Sequence, residues 1–404
     1  MQLSGMIMKT KQLKEQAEIN TDGACCAPGP NPGLKAADPS VIQQAARSLD
    51  GITAQKPAWV SGIRNSPSGL VPLVLADWSR SDRWGEIRSR ISAFRMHYSV
   101  KPGLYAVGNP DANSDVFVSA NYKLSFDILR RAMKGISGWI LVLDTKGINV
   151  WCAAGKGTFG TDELVKRISA AKLSGLVSHR RIIVPQLGAT GVRAADIKKK
   201  TGFTVHFGPV EAGDINEYIR WKYHATPEMR RVKFTFLQRL VLTPMELNPA
   251  FKMYPWAALA ILILFGIEPA GIIYRSAWHG GWPFLLLCLA GIVAGALITP
   301  LILPLIPFRS FAVKGGVTGA AAAVPLVLFT PLLGEDSAFL KAAALMLVTL
   351  LSSYLALQFT GATTFTGISG VKKELRFALP VYFAGLATSF ILVILYKMKT
   401  WGII

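Results

Sequence analysis

The C-terminal part of the chain sets the tightest limit on the fold. From Pro255 onward the sequence returns five times to apolar runs of about 20 residues, over about 255–274, 283–305, 315–333, 338–359 and 377–396. A bilayer core of roughly 30 Å takes about 20 residues of helix, and a helix satisfies its own backbone polar groups where no water can. The runs therefore read as five transmembrane helices in an all-α domain over 246–404. Charge divides at the same place: residues 1–254 hold 35 Lys+Arg against 20 Asp+Glu, and 255–404 hold nine against four. The formal +20 of the 404 residues is thus mainly the charge of a soluble part, and the 51% hydrophobic content is mainly that of the spans. A disordered chain and an ordinary soluble enzyme are both excluded. So divided, the charge suits an anionic leaflet or an acidic partner and gives no reason to expect nucleic acid.

Residues 1–60 are polar and broken by APGPNPG, the composition of a flexible arm. Residues 61–245 alternate short apolar runs with helical stretches. Strands are expected over 70–76, 116–120, 139–143, 182–184 and 204–207, and helices over 125–134, 162–178, 194–200 and 214–222, several opened by a capping Ser, Thr or Asp. Strands apolar on both faces between helices predict a mostly parallel, Rossmann-like α/β sheet covered on both sides, which binds ligands at the carboxyl ends of its strands. The opening residues show no apolar core of signal-peptide length, which predicts a cytoplasmic soluble domain on a multi-pass inner-membrane anchor. In that orientation Arg309, Lys314, Lys372, Lys373 and Arg376 fall on inner loops, while Lys397 and Lys399 run against the positive-inside rule. No ionisable side chain lies mid-span and Glu268 comes closest, so an anchor or docking platform is favoured over a transport pathway. The Gly/Thr-rich stretch 359–377 reads either as a re-entrant or partner-contacting segment or as a solvated linker.

Four cysteines make no disulfide framework. Cys25 and Cys26 adjoin in the arm, Cys288 lies in an apolar run, and Cys152 stands alone in the soluble part. A lone thiol in a reducing compartment is either buried filler or a reactive ligand. Cys152 lies in INVWCAAGKGT (148–158), which follows the strand WILVLD and leads toward a helix near Thr161. Ala153, Ala154, Gly155 and Gly157 allow a flat ligand or another backbone to approach closely. A neighbouring Lys156 and a helix N-terminus are surroundings that favour a thiolate, the metal-binding form. The segment GKGT is not a phosphate loop, because Val150 stands where GxxxxGK[ST] requires glycine. The five histidines show no zinc-ligand spacing, and four scattered thiols cannot hold an iron–sulfur cluster.

NVWCAAGK, residues 149–156, resembles the signature of the membrane-bound corrinoid protein of microbial mercury methylation, the HgcA family. That family is related through its soluble domain to the large subunit of the corrinoid iron–sulfur protein of acetyl-CoA synthesis. Residues 103–130, 180–192 and 202–219 resemble the same superfamily, and a five-span C-terminal half fits the mercury-methylating branch. The resemblance implies a corrinoid (cobalamin-type) cofactor, with Cys152 as both catalytic residue and lower axial ligand of cobalt. A thiolate is a soft, strong donor whose electron density favours transfer of methyl as a carbanion equivalent to soft Hg(II), giving methylmercury. Asn149, Val150, Trp151, Ala153, Ala154, Gly155 and Lys156 would form the cap segment against the corrin ring. Gly188, Ala189, Gly191 and Val192, in PQLGATGV, would meet the cofactor's nucleotide tail. The implied reductant is a ferredoxin-like protein with two [4Fe–4S] clusters, and the implied methyl donor is linked to methyltetrahydrofolate. Cys25 and Cys26 read either as a soft relay for Hg(II) or as incidental thiols in a solvated tail. Two alternatives stay open: a corrinoid methyl carrier for another acceptor, and a membrane transporter or sensor with a regulatory domain.

Overall fold

Strands of five and six residues buried along their whole length, such as β4 and β5 below, need cover on both faces, and the chain supplies it. The computed structural model describes residues 57–334, 337–363 and 368–404, so Cys25, Cys26 and nearly all of the expected arm lie outside the described residues. Seven strands, β1 (Val60–Ser66), β2 (Gly69–Val74), β3 (Gly103–Val107), β4 (Val116–Ala120), β5 (Gly138–Leu143), β6 (Arg181–Val184) and β7 (Thr204–Phe207), form one sheet in the order β1-β2-β3-β5-β4-β6-β7. Successive side chains alternate faces. Val116, Val118, Trp139, Leu141 and Leu143 therefore enter one core, and Phe117, Ile140 and Val142 enter the other.

Helices α1 (Arg80–Ile91), α2 (Lys123–Ala132), α3 (Val150–Lys156), α4 (Thr161–Ala170), α5 (Leu173–Leu176), α6 (Ala194–Thr201) and α7 (Ile215–Arg220) connect the strands. Leu164 and Ile168 of α4 and Ile197 of α6 close the first core. Phe126 and Leu129 of α2 and Ile215 and Tyr218 of α7 close the second. Each such side chain, once buried, contributes about 1.5–3 kcal/mol.

The sheet is mostly parallel, as expected, with four of its six pairings parallel and two antiparallel. Strands β4 to β7 run parallel, but β3 is antiparallel to β5, β2 is parallel to β3, and β1 is antiparallel to β2. A two-residue connection, 67–68, leaves β1 and β2 no choice but a hairpin, and Gly69 takes a positive φ of 102° to close it. Strands β1 and β3 were absent from the sequence expectation. The helix expected over 162–178 breaks where Lys172 turns left-handed at φ 45°. The expected side-chain caps do not form on α2, α4, α6 or α7; the Thr161 hydroxyl instead accepts the Arg193 N–H at 2.9 Å.

The C-terminal region is helical: α8 (Phe236–Leu242), α9 (Pro244–Gly266), α10 (Tyr274–Val293), α11 (Phe311–Leu328), α12 (Ala338–Gln358) and α13 (Ile368–Thr400). Five stretches are long and apolar enough to cross a membrane: Phe236–Gly266, Tyr274–Leu301, Phe311–Leu328, Ala338–Gly361 and Ser369–Thr400. The first ends at Gly266 rather than 274. Pro269 cannot continue a helix and biases the residue before it to extended backbone, so Ile267–Glu268 and Gly271–Ile272 pair as a small hairpin, β8 and β9. Glu268, in that hairpin, accepts from Lys397 Nζ at 2.9 Å and from Trp401 Nε1 at 2.6 Å. Lys397 therefore sits in an ion pair at the helix ends.

Between the helices the contacts are close. A Cβ at Gly295 would lie 2.5 Å from the Ser352 carbonyl oxygen, at Gly315 2.4 Å from Ala356 Cβ, and at Gly319 2.6 Å from Ser352 Cβ. Ser352 Oγ donates to the Gly315 carbonyl at 2.6 Å, and Thr318 and Thr299 join hydroxyls beside it. Small residues with hydroxyls that bond across the seam are how helices associate without a hydrophobic driving force. Within 359–377, residues Phe359–Ala362 form a 3-10 turn and the last ten belong to α13. There Glu374 Oε2 accepts the Phe311 and Ala312 N–H groups at 2.9 and 3.3 Å, capping α11.

Candidate functional site

The loop after β5 carries Cys152, and Asn121 builds it. Asn121 leaves the carboxyl end of β4, is buried, and aims Oδ1 sideways at the next loop. That oxygen accepts the Thr145 N–H at 3.0 Å, the Thr145 hydroxyl at 2.8 Å and the Gly147 N–H at 2.9 Å. Lys146 and Gly147 both take left-handed backbone, φ 59° and 70°, so the chain reverses within two residues. Asp144 adds a second fixing point, since its N–H donates to Glu163 Oε1 at 2.9 Å. The hydrogen bond from Lys146 Nζ holds the Asp144 carboxyl below the usual carboxylate range, against the opposing pull of burial.

The loop delivers Asn149 as the N-cap of α3: its Oδ1 accepts the Cys152 N–H at 2.9 Å, and Gly157 ends the helix in a left-handed turn at φ 80°. Cys152 is thereby the third residue of a two-turn helix. Ala153 and Ala154 face inward and are buried, and Val150 packs on the same core. Outward lie Trp151, 38% exposed, with half-buried Cys152 and exposed Gly155 and Lys156. A Cβ added at Gly155 would meet nothing within 4 Å, so the space over this face is open. Trp151 is no core aromatic; it stands at the rim beside the thiol.

The loop after β6 supports α3 from behind. A Cβ at Gly188 would lie 2.5 Å from the Phe159 ring, and one at Gly191 would lie 2.1 Å from the Phe159 carbonyl oxygen and 3.1 Å from Ala154 Cα. Val192 is buried in the same core and Ala189 is half-buried. Gly188 thus seats the Phe159 ring, and Gly191 lets two backbones meet. Asn121, Phe159 and Glu163 escaped sequence reasoning.

Among the described residues no three His, Cys, Asp or Glu side chains gather as a metal-holding group. Cys152 is the one thiol of the sheet domain, so the arrangement offers a single soft donor beside an open face. That donor set cannot hold a bare ion, but it fits a metal already held by a macrocycle and needing one axial ligand.

The carboxyl ends of β4 and β5, which lead to Cys152, lie beside a segment that reaches the long helices. A Cβ on Gly147 would stand 3.7 Å from Ser99 Cβ and 3.9 Å from the Met96 carbonyl oxygen. One residue earlier, Arg95 donates to Met245 Sδ of α9 at 3.0 Å. After β7, the Val210 N–H donates to the Met229 carbonyl at 2.8 Å, and Gln238 of α8 donates to Glu211 at 2.8 Å.

Residues 93–219 match the family model described as CO dehydrogenase/acetyl-CoA synthase delta subunit, CdhD. The gamma subunit of the acetyl-CoA decarbonylase/synthase complex of Methanocaldococcus jannaschii is 34% identical over 128 residues, 31% of this chain and 26% of that protein. The gamma subunits of Archaeoglobus fulgidus and Methanopyrus kandleri are 32% and 30% identical over 127 residues, again 31% of this chain and 27% of theirs. The chain thus spans about a quarter of the length of these curated relatives. The segment that builds the Cys152 loop and its supports, residues 93–219, is related to the CdhD family, and that match stops before the first long helix.

Proposed function

We propose that this protein is a membrane-tethered, corrinoid-dependent methyltransferase that methylates Hg(II), with Cys152 as the lower axial ligand of the cofactor's cobalt. The observation that carries the reading is a single thiol on the outward face of a capped helix, with open space over Gly155 and no competing ligand cluster among the described residues. When bound, the corrinoid supplies a transferable methyl group on cobalt. Asn149 fixes the first turn that presents Cys152. Trp151, Gly155 and Lys156 form the face the cofactor would rest on. Ala153 and Ala154 hold that face in place from below, and Gly188, Ala189, Gly191 and Val192 would meet the cofactor's nucleotide tail. A soft thiolate donor suits delivery of methyl to a soft, electrophilic acceptor, for which Hg(II) is the substrate that NVWCAAGK suggests.

The remaining roles follow from the same reading. Electrons come from an acidic ferredoxin-like partner with two [4Fe–4S] clusters, because the described residues offer no cluster site of their own. Methyl groups come from a methyltetrahydrofolate-linked donor. The sheet domain lies on the cytoplasmic side of the inner membrane, and the domain limits are 61–245 and 246–404. A Cys25–Cys26 relay for Hg(II) is retained as a subsidiary proposal; normal methylation by Cys25→Ala/Cys26→Ala across limiting Hg(II) would remove it.

Two measurements test the main reading. Purified protein reconstituted with cobalamin should show a corrinoid visible spectrum that changes in Cys152→Ala, and a colourless protein that takes up no cobalamin would defeat it. In a strain lacking the native copy, Cys152→Ala should make no methylmercury, and Cys152→His should retain cofactor but lose transfer. A second acceptor deserves the same assay because the relatives are named for an acetyl-CoA complex. Methyl transfer to a pathway carrier but not to Hg(II) would favour it.

A further inference from the structure

Helix α1 presents an apolar stripe to solvent. At about 100° per residue, Trp84, Ile87 and Ile91 fall on one face within about 60° of each other. They are 59%, 47% and 41% exposed, and Met96, just beyond the helix, is 69% exposed. Arg83 and Arg90 flank the stripe on one side and Arg88 on the other, with Arg80 at its head. The opposite face of the helix is the buried one, through Asp82, Gly85 and Ser89. The acidic side chains of α1 do not offset this charge outward: Asp82 is buried against Lys123 and Arg130, and Glu86 is paired with Arg90. An apolar stripe between rows of arginine is the pattern of a helix that lies in a membrane interface.

The position of α1 along the molecule agrees. The Ile91 carbonyl accepts from Asn248 Nδ2 of α9, and Arg95 reaches Met245 one turn earlier. Counting back about 20 residues from Gly266, the length of helix that crosses a roughly 30 Å core, ends at about residue 247. Asn248, and with it the C-terminal end of α1, therefore stands at the depth of the headgroups. We infer that α1 is a second membrane contact, seating the exposed stripe Trp84, Ile87, Ile91 and Met96 among the lipids of an anionic leaflet while Arg80, Arg83 and Arg88 engage their phosphates. This rests on the apolar helices crossing a bilayer, and on neither the cofactor nor the acceptor. It also fixes the tilt of the sheet, because α1 and the 3-10 turn at Ala93–Met96 lead straight to the Gly147 loop.

The test uses the full chain in nanodiscs of phosphatidylcholine, with or without phosphatidylglycerol. A nitroxide is attached through a genetically encoded azide at position 87, at position 200 as a water-facing control, or at position 390 as a span control. In anionic discs the label at 87 should be shielded severalfold from a water-soluble nickel chelate relative to 200, and open to oxygen as at 390. Arg83→Glu/Arg88→Glu should return position 87 toward the accessibility of 200. Equal chelate access at 87 and 200, with 390 in lipid, would overturn the inference and leave the stripe to a protein partner. Shielding that is indifferent to phosphatidylglycerol and to the double variant would overturn its electrostatic half. A water-accessible 390 would instead overturn the membrane reading beneath it.

Discussion

Asn121 holds three donors with one oxygen, and the loop that presents Cys152 depends on it. Asn121→Ala strands the buried Thr145 N–H and the half-buried Gly147 N–H, each costing about 1–3 kcal/mol when unpaired, although water recovers part of it, while the Thr145 hydroxyl keeps the Ile148 carbonyl as acceptor. We expect a loss of about 2–4 kcal/mol in unfolding of the sheet domain, followed by tryptophan fluorescence, and reduced cobalamin uptake. Asp82 makes a different prediction. Burial alone would raise its carboxyl, but the Ser79 backbone and hydroxyl donors, Arg130 and Lys123 outweigh it and bring the pKa from 3.8 down to about 2. A carboxylate depressed on folding stabilises above its unfolded pKa and loses that contribution as pH falls through the folded one. Wild type should therefore exceed Asp82→Asn by about 2 kcal/mol above pH 4, in unfolding followed against pH, with the gap closing toward pH 2. Neither residue was legible beforehand. Cys152 could be found because its neighbours in sequence are its neighbours in space, whereas Asn121 meets partners 24–26 positions away and Asp82 meets Lys123 at a separation of 41.

Elements were legible where one period dominates. Strands β4, β5, β6 and β7 are apolar runs between turn residues, and the structure returns them within a residue or two. Strand β1 was hidden because an edge strand alternates exposed and half-buried positions, with Ser, Arg and Asn among them. The apolar runs announced the spans but not their ends, which Pro269 and the Glu374 cap decide. Helix α3 is the element on which function should turn. Gly191→Ala would press a methyl group into the Phe159 carbonyl and the α3 backbone, so α3 must shift. We expect cobalamin retention to fall at least tenfold while unfolding changes by only about 1–3 kcal/mol, the usual cost of overpacking. Gly155→Ala, facing open space, should be tolerated by the fold; any loss of cobalamin there would report contact over the outer face.

At the scale of the whole molecule, the division of charge seen in the sequence gains a direction. Arg95 and Gln238 join the Cys152 end of the sheet to the nearest ends of the helices, where Arg239 ties Phe234 to Leu301 and where Glu374 and Lys314 also lie. The far end carries Glu268, Lys397 and Trp401. Between these ends, residues 253–266, 280–301, 315–328, 342–358 and 377–396 contain no Asp, Glu, Lys, Arg or His. Glu268 and Lys397, 2.9 Å apart, cancel as a unit. A transmembrane voltage does work only on net charge that moves through it, about 2.3 kcal/mol per charge per 100 mV. With neutral span interiors and a cancelled pair at the rim, the span interiors hold no charge for the field to pull. Reconstituted protein should show no gating current, and the methyl transfer proposed above should run at the same rate whether or not the membrane is energised.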